Sequence, residues 1–208
     1  MNTLTPLAEI TGLGAACSLG LTLKDCMDKM FNAPPVPGPP KTFSTNHTVA
    51  YPVFSLAGTL DFNFRKKDRQ LSPTAQMAIA VAGEALADAG LSLGLLKGKR
   101  VGVCMGTTVG AVLNNDPFYI QYEQGKEPGM DPIIRFPSSN PAQAVADAFD
   151  LNGPVQTVVN ACASGTDAVG IGAGWIQTGL CDMVIAGGTD ELCKVTYNGF
   201  ISLMITDP

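Results

Sequence analysis

The sequence predicts an α/β fold in which helices pack against a mostly parallel sheet. Short segments rich in β-branched residues alternate with longer segments of helical periodicity, in the order β, α, α, β, α, β, α, β. A helix predicted over residues 165–178 is apolar around its whole circumference, which is typical of a helix buried on every side. The 208 residues, 46% hydrophobic and 15% charged, suffice for a substantial core.

The first half of the chain contains one strongly marked helix. Ser72 is a suitable N-cap, Pro73 suits the first helical position, apolar residues recur at helical spacing as far as residue 89, and Gly90 ends the helix. The elements expected before it are a strand at 9–13, a short amphipathic helix at 23–31 and a stiff proline-rich connector at 34–40.

The second half alternates strands with helices. The segment 110–136 has no strong periodicity, so we expect it to form a lid, a pocket wall or a subunit contact. Asn140 with Pro141 opens one helix, and Gly179 closes another. The predicted elements are strands at 100–105, 155–159 and 183–186 and helices at 140–149 and 165–178.

The most informative residue is Cys162, which lies between a predicted strand and the apolar helix. A thiol at this junction lies among backbone N–H groups at the positive end of a helix, which favours the nucleophilic thiolate. We therefore expect Cys162 to carry a covalent acyl group; the alternative is an inert buried thiol. The other cysteines show no metal-ligand spacing and are expected to be mostly small buried residues, so no metal or cofactor is predicted. They are Cys17, Cys26, Cys104, Cys181 and Cys193.

The glycines of the 165–179 segment predict close packing, because five glycines would otherwise weaken the helix by about 1 kcal/mol each. We expect Gly187 and Gly188 to pack closely beside this helix as well. A sheet above and a sheet below would enclose the helix, but a chain of this length supplies only one of them. Three nearby residues have expected structural roles: Ser164 and Thr166 as helix caps and Asp190, with its neighbour Glu191, at a strand end.

Composition excludes several classes of protein. The net charge of −5 argues against general nucleic-acid binding. No apolar run reaches the roughly 18 residues that a membrane span requires, and the N-terminus lacks the pattern of a signal peptide. A cytoplasmic location is therefore expected.

Several segments, in this order, resemble the β-ketoacyl synthase (condensing enzyme) family of the thiolase-like fold. Residues 160–165, Asn-Ala-Cys-Ala-Ser-Gly, are similar to the family's nucleophile motif, and residues 186–190, Ala-Gly-Gly-Thr-Asp, to the glycine strand behind it. The joint occurrence of these two motifs is the specific signal. Weaker similarities cover residues 10–14, 18–20, 76–91, 100–103 and 106–107. Together they resemble the elongating synthases, which accept acyl groups from acyl carrier protein.

The resemblance implies the N-terminal half of a thiolase-like layered sandwich, with residues 1–208 as one domain and the nucleophile helix buried between two sheets. It also implies that Cys162 is the nucleophile and that its backbone N–H is one oxyanion donor. In the family, acyl transfer to the cysteine precedes a decarboxylative condensation with malonyl-carrier. That step uses histidines and a lysine of the second half. The sole histidine here, His47, does not sit at a matching motif position. We therefore expect that this chain alone does not condense.

A basic run at 65–69 has two interpretations. It is either a solvated turn before a helix or a docking site for an acidic acyl carrier protein; the family has a basic patch in a comparable place. The docking interpretation assigns four residues, Arg65, Lys66, Lys67 and Arg69.

The expected partners are acyl carrier protein and either a second copy of the chain or a C-terminal half. In the family the strand before the nucleophile pairs across a two-fold axis, and residues 155–159 occupy that position. Two rivals remain: a non-catalytic half-synthase that binds carrier protein or acts as a scaffold, and a thiolase-type acyltransferase that uses coenzyme A.

Overall fold

The computed structural model describes residues 8–45, 47–60, 71–109, 115–138 and 140–206. The chain forms two compact units. The first contains residues 8–14 and the described residues from 71 to 190; the second contains the described residues from 15 to 60 and residues 191–206. In the described part of the chain, no helix combines the length and the apolar character that crossing a bilayer would need.

The first unit is built on a three-stranded parallel sheet with the order β2-β1-β3. Its strands are β1 (Val101–Gly106), β2 (Val155–Val158) and β3 (Met183–Gly188). Val103 is paired with Val155 on one side of β1 and with Ile185 on the other. Every residue of the central strand β1 is buried, whereas both outer strands are partly exposed. The predicted parallel α/β arrangement is confirmed.

Helices cover both faces of this sheet. The helices of the first unit are α2 (Pro73–Asp88), α3 (Leu93–Leu96), α4 (Asp116–Glu123), α5 (Asp131–Ser138), α6 (Pro141–Phe149) and α7 (Ser164–Gln177). Val103 and Met105 form one core with the alanine-rich faces of α2 and α6. Residues of β1 alternate between faces, so Gly102 and Gly106 point the other way, towards α7.

The helix caps predicted from the sequence are confirmed in the first unit. The Ser72 hydroxyl accepts a hydrogen bond from the Ala75 amide, and the Asn140 side chain accepts one from the Gln143 amide. Both helices carry proline in their first turn, where a missing N–H has no cost. Gly179 has a φ of +70°, which is the left-handed conformation of a helix-ending glycine.

One prediction about an element was wrong, and the helices of another segment were not predicted. The strand predicted at residues 9–13 does not form; the segment instead lies against α2, where a Cβ on Gly12 would come within 2.7 Å of the Ala89 backbone nitrogen. The Leu13 amide donates a hydrogen bond to Asp88 rather than to a neighbouring strand. The segment 110–136, which lacked periodicity, contains α4 and the start of α5; its residues 110–114 lie outside the described residues.

The second unit contains α1 (Leu23–Asn32), α8 (Lys194–Ser202) and a bridge between Gly38 and Val53. Buried Tyr197 of α8 donates a hydrogen bond to the Tyr51 carbonyl over 2.9 Å, and its ring packs against Phe43. These contacts attach Phe43 and Tyr51 to a helix that the sequence pattern did not predict.

Candidate active site

Cys162 lies in a tight turn between the sheet and α7, as the sequence predicts. β2 ends at Val158, residues 161–163 form a single 3₁₀ turn, and α7 begins at Ser164. Cys162 is the middle residue of this turn, and it is exposed. The preceding residue, Ala161, has a φ of +47°, which costs a residue with a side chain on the order of 1 kcal/mol or more. The chain therefore bends sharply at the position that presents the sulfur.

Hydrogen bonds hold both sides of the turn. The Asn160 amide donates to the Ser164 hydroxyl over 2.7 Å, and the Asn160 side chain donates to Asp167 over 2.7 Å. The Ser164 hydroxyl has acceptors at the Ala161 carbonyl, 2.7 Å away, and at the Thr107 carbonyl, 3.1 Å away. The prediction that Ser164 caps the helix was wrong. The first turn of α7 has no side-chain cap, and Ser164 instead binds the backbone before it.

The end of β1 supports the start of α7 through backbone contact. A Cβ added to Gly106 would lie 2.5 Å from the Gly165 nitrogen and closer still to the Ser164 carbonyl group. A Cβ on Gly188 of the neighbouring strand would lie 3.3 Å from the Gly165 Cα. The expectation of close packing is thus confirmed for Gly188. It was wrong for Gly187, where an added Cβ would meet no atom of the described residues within 4 Å.

Asp190 fastens the loop after β1 to the loop after β3. Its carboxylate accepts hydrogen bonds from the Thr107 hydroxyl at 2.8 Å, the Thr108 amide at 2.9 Å and the Thr108 hydroxyl at 2.8 Å. Thr107 is 1% exposed and is also the residue whose carbonyl faces Ser164. Sequence reasoning assigned Asp190 a structural role but missed both threonines. Their position directly after a buried parallel strand, at the edge where such sheets place their sites, was the available signal.

The sheet covers one face of α7. Ser164, Ala168 and Gly172 follow one another at helical spacing and are buried. On the outer face Val169 is 46% exposed, and a Cβ on Gly170 or Gly174 would meet no described atom within 4 Å. The expectation of burial on every side is therefore not met within the described residues, which cover one face of α7.

The six thiols differ in environment. Burial raises the pKa of Cys104 to about 11 and also raises that of Cys181, so neither is readily ionised. Cys193 is buried and caps α8 by accepting a hydrogen bond from the Thr196 amide. The expectation that the cysteines other than Cys162 are mostly buried is confirmed for four of the five, and Cys17 is the exposed exception. Cys162 and Cys17 are thus the two exposed thiols of the described residues.

The other predicted site residues form no part of this site. Arg65, Lys66, Lys67 and Arg69 all lie outside the described residues. His47 belongs to the second unit. Within the described ranges, no cluster of three or more His, Cys, Asp or Glu side chains could hold a metal ion.

A parallel α/β unit with a cysteine turn between sheet and helix is the arrangement expected of the N-terminal half of a thiolase-like fold. The family profile described as beta-ketoacyl synthase, N-terminal domain, matches residues 9–208, and the chain belongs to this family.

Two curated relatives show the range of this similarity. A tetracenomycin polyketide synthase ketoacyl synthase alpha subunit from Streptomyces glaucescens is 33% identical over 166 residues, which are 73% of this chain and 39% of the relative. A 3-oxoacyl-[acyl-carrier-protein] synthase 2 from Staphylococcus aureus is 32% identical over 192 residues, 87% of this chain and 46% of the relative. The chain thus spans at most about half the length of these relatives.

The fold is also that of solved ketosynthases. The ishigamide ketosynthase/chain length factor superimposes with a TM-score of 0.82 at 22% identity, covering 96% of this chain and 51% of the solved chain.

Proposed function

We propose that this chain supplies the cysteine-bearing half of a 3-oxoacyl-[acyl-carrier-protein] synthase that acts in fatty acid or polyketide synthesis in the cytoplasm. The observation that carries the proposal is the exposed Cys162 in its strained turn. The Gly106 backbone packs against the start of α7 beside this turn, and the Asn160–Ser164 hydrogen bond holds it. Membership of the β-ketoacyl synthase family supports it.

The first proposed reaction is acyl transfer. The Cys162 thiolate attacks the carbonyl carbon of an acyl thioester on the carrier, a new S–C bond forms, and the carrier thiolate leaves and takes up a proton. The backbone N–H of Cys162 is the proposed donor to the oxygen that becomes negative during this attack. A preformed turn favours this step because the sulfur and the donor need no rearrangement to meet the substrate.

The second proposed reaction is condensation. Malonyl-carrier loses CO₂, and its α-carbon attacks the acyl-cysteine carbonyl. A C–C bond forms, the Cys162 sulfur leaves, and a 3-oxoacyl-carrier is released. The charge that develops during decarboxylation needs further hydrogen-bond donors, which the family supplies from its second half. The 208-residue chain should therefore accept an acyl group without condensing it.

Both steps are separable by experiment. Incubated with a carrier protein that bears an acyl thioester, the chain should release free carrier thiol in a single turnover, and the Cys162→Ala variant should not. With malonyl-carrier, the wild-type chain should release no CO₂ above background. Absence of thiol release from the wild type would remove the acyl-transfer proposal, whereas sustained CO₂ release would remove the claim that this chain alone does not condense.

The proposed partner is an acyl carrier protein that docks at Arg65, Lys66, Lys67 and Arg69. The double reversal Lys66→Glu with Lys67→Glu should weaken carrier binding and flatten its salt dependence, because docking of an acidic partner on basic residues is screened by salt. The reversal of exposed Lys97 and Lys99 makes the same charge change elsewhere and should have little effect. Equal affinity of both double variants at low salt would exclude docking at 65–69.

A second copy, or a second synthase half, is the other proposed partner. β2 lies at one side of the described sheet, and Val155 and Val159 at that side are 36% and 60% exposed. A strand of the partner that paired with β2 would cover these two valines. A second sheet, from the partner, would likewise cover the open face of α7. Sedimentation should show a dimer of the wild type that Val155→Pro weakens, because proline removes a strand hydrogen bond. A monomer at all concentrations would exclude self-pairing.

The rival function is a non-catalytic subunit that binds carrier protein. The exposed Cys162 and its supporting network favour the enzyme, since a scaffold has no need of a strained cysteine turn. Carrier binding without any acyl transfer would favour the rival.

A further inference from the structure

We propose that Cys17 and Cys26 form a reversible thiol–disulfide site, in which exposed Cys17 reacts first with a peroxide and buried Cys26 resolves the product. The two sulfur atoms lie 3.5 Å apart, at hydrogen-bond distance. No other pair of cysteine sulfurs is hydrogen-bonded among the residues that the structure describes. The site lies in the second unit and is independent of the acyl chemistry proposed for Cys162.

Local backbone structure creates the pair. Cys17 lies in the loop before α1, and Cys26 lies in the first turns of that helix. The Cys17 amide donates to the Gly20 carbonyl over 2.8 Å, which folds the loop back on itself. A Cβ on Gly20 would lie 2.5 Å from the Asp25 Cβ and 2.9 Å from the Cys26 nitrogen. Only glycine at this position lets the loop lie against the helix and bring the two sulfurs together.

The two thiols have the unequal environments that a reactive and a resolving cysteine require. Cys17 is exposed, whereas Cys26 is 5% exposed. The Leu19 amide donates a hydrogen bond to the Cys17 sulfur over 3.4 Å, and the Cys26 thiol has a carbonyl acceptor at Gly20, 3.5 Å away. The first sulfur is thus placed to carry negative charge and the second to keep its proton.

Electrostatics act in the same direction as the geometry. Partial burial raises the pKa of Cys17, but hydrogen bonds from the Leu19 amide, the Cys26 thiol and the Gly20 backbone outweigh burial and bring that pKa below its usual value. Burial raises the pKa of Cys26, and the neighbouring Cys17 sulfur raises it further. Because the thiolate is the nucleophile, a peroxide should react with Cys17 before Cys26.

The reaction balances with hydrogen peroxide as the oxidant. The Cys17 thiolate attacks one peroxide oxygen, the O–O bond breaks, hydroxide leaves, and Cys17 becomes a sulfenic acid. The Cys26 sulfur then attacks the Cys17 sulfur and loses its proton, the S–O bond breaks, and water leaves. Bond formation requires the sulfurs to approach by about 1.5 Å to the usual 2.05 Å, which a short loop can provide. A dithiol returns two electrons and two protons and restores both thiols.

Peptide mapping of the 208-residue chain tests this site. Lys24 lies between the two cysteines, so trypsin separates residues 1–24 from residues 25–29, and the disulfide alone joins these peptides. After substoichiometric peroxide and blocking of free thiols, we expect the linked peptide in the wild type and its loss after dithiothreitol. Cys162→Ser should not lower its yield, which distinguishes this site from the proposed acyl site.

Single variants separate the two roles. In Cys26→Ser, Cys17 should accumulate as a sulfenic acid that dimedone labels, roughly tenfold more than in the wild type, because no resolving thiol remains. In Cys17→Ser, Cys26 should stay reduced under the same treatment. Failure of the wild type to give the linked peptide, or oxidation of Cys26 in Cys17→Ser at the wild-type rate, would overturn the proposal.

Discussion

The contact between Gly106 and α7 makes Gly106→Ala the most informative substitution. The added Cβ would lie 2.5 Å from the Gly165 nitrogen and closer to the Ser164 carbonyl group, whereas non-bonded heavy atoms need about 3.5 Å. All of these neighbours are backbone atoms, so no side chain can rotate away. The start of α7, and with it the Cys162 turn, would have to retreat by about 1 Å.

Two measurements follow from this displacement. Overpacking of this kind costs typically about 1–3 kcal/mol, which urea denaturation of the 208-residue chain would detect as a lower midpoint. A displacement of about 1 Å in a nucleophile lowers a rate by up to about 100-fold, so acyl transfer to Cys162 should fall more than stability alone explains. Single-turnover release of carrier thiol, under conditions where the variant stays folded, measures this second effect.

Gly187→Ala is the matched control. It makes the same change on the neighbouring strand, where an added Cβ would meet no described atom within 4 Å. We expect wild-type stability and an unchanged acyl-transfer rate. If Gly106→Ala behaves as this control does in both measurements, the backbone contact does not position the turn and the reasoning is refuted.

Three further predictions concern the network, the helix and the sheet. Asp190→Ala removes the acceptor of Thr107 and Thr108 and should lower the free energy of unfolding by about 1–3 kcal/mol in urea denaturation. The control Glu123→Ala, at an exposed position of α4, should change it little. Equal effects of the two substitutions would contradict the hydrogen-bond network around Asp190. Gly174→Ala should stabilise the isolated chain by about 0.5–1 kcal/mol in urea denaturation, because its Cβ meets no described atom. Gly172→Ala should destabilise the chain, because its Cβ would lie 2.9 Å from a Val184 methyl group. The reverse order of stabilities would contradict the assigned faces of α7. Hydrogen bonds from the Arg100 side chain and amide lower the pKa of Asp182 to about 2, so its contribution to stability is present above about pH 3.9, the value for an unpaired aspartate, and disappears as the pH falls towards 2. The difference in urea-denaturation midpoint between wild type and Asp182→Asn should therefore shrink as the pH falls over that range. A difference that grows would contradict a stabilising role of the ionised Asp182.

Sequence patterns predicted the elements that carry their own local signals. The bounds of α2 and α6 follow from Ser72 and Asn140, whose side chains cap helices without help from the rest of the fold. The central strand β1 is buried on both faces and so reads as a continuous apolar run. These signals depend on near neighbours in the sequence, which is why reasoning from sequence found them.

Elements that depend on distant partners were harder to predict. Residues 9–13 have the composition of a strand, yet Gly12 and Gly14 let their backbone lie against α2, and no residue of the segment indicates that choice. Helix α4 was missed because its apolar periodicity is weak, whereas α5 was missed although its apolar residues recur at helical spacing. Each begins with Asp-Pro, a helix-start signal that would have located both.

The candidate site also has a part that local sequence signals predict and a part that depends on residues distant in the sequence. Cys162 was found because its motif is continuous in sequence. The hydrogen-bond network that supports Cys162 was not found from the sequence. Its members Thr107, Ser164 and Asp190 come from three separate segments that meet only when the parallel strands align. Cys17 and Cys26 also looked unremarkable in sequence, since the turn at Gly20 alone brings their sulfurs together.

Mapping the acyl group after incubation with an acyl-carrier protein tests the central claim most directly. The chain offers two exposed thiols in its described part, Cys162 and Cys17, so accessibility alone would allow both to react. If the turn at Cys162 is built for acyl transfer, proteolysis and mass spectrometry should find a thioester on Cys162 and none on Cys17. Acylation of both cysteines at equal rates, or of Cys17 alone, would contradict the account.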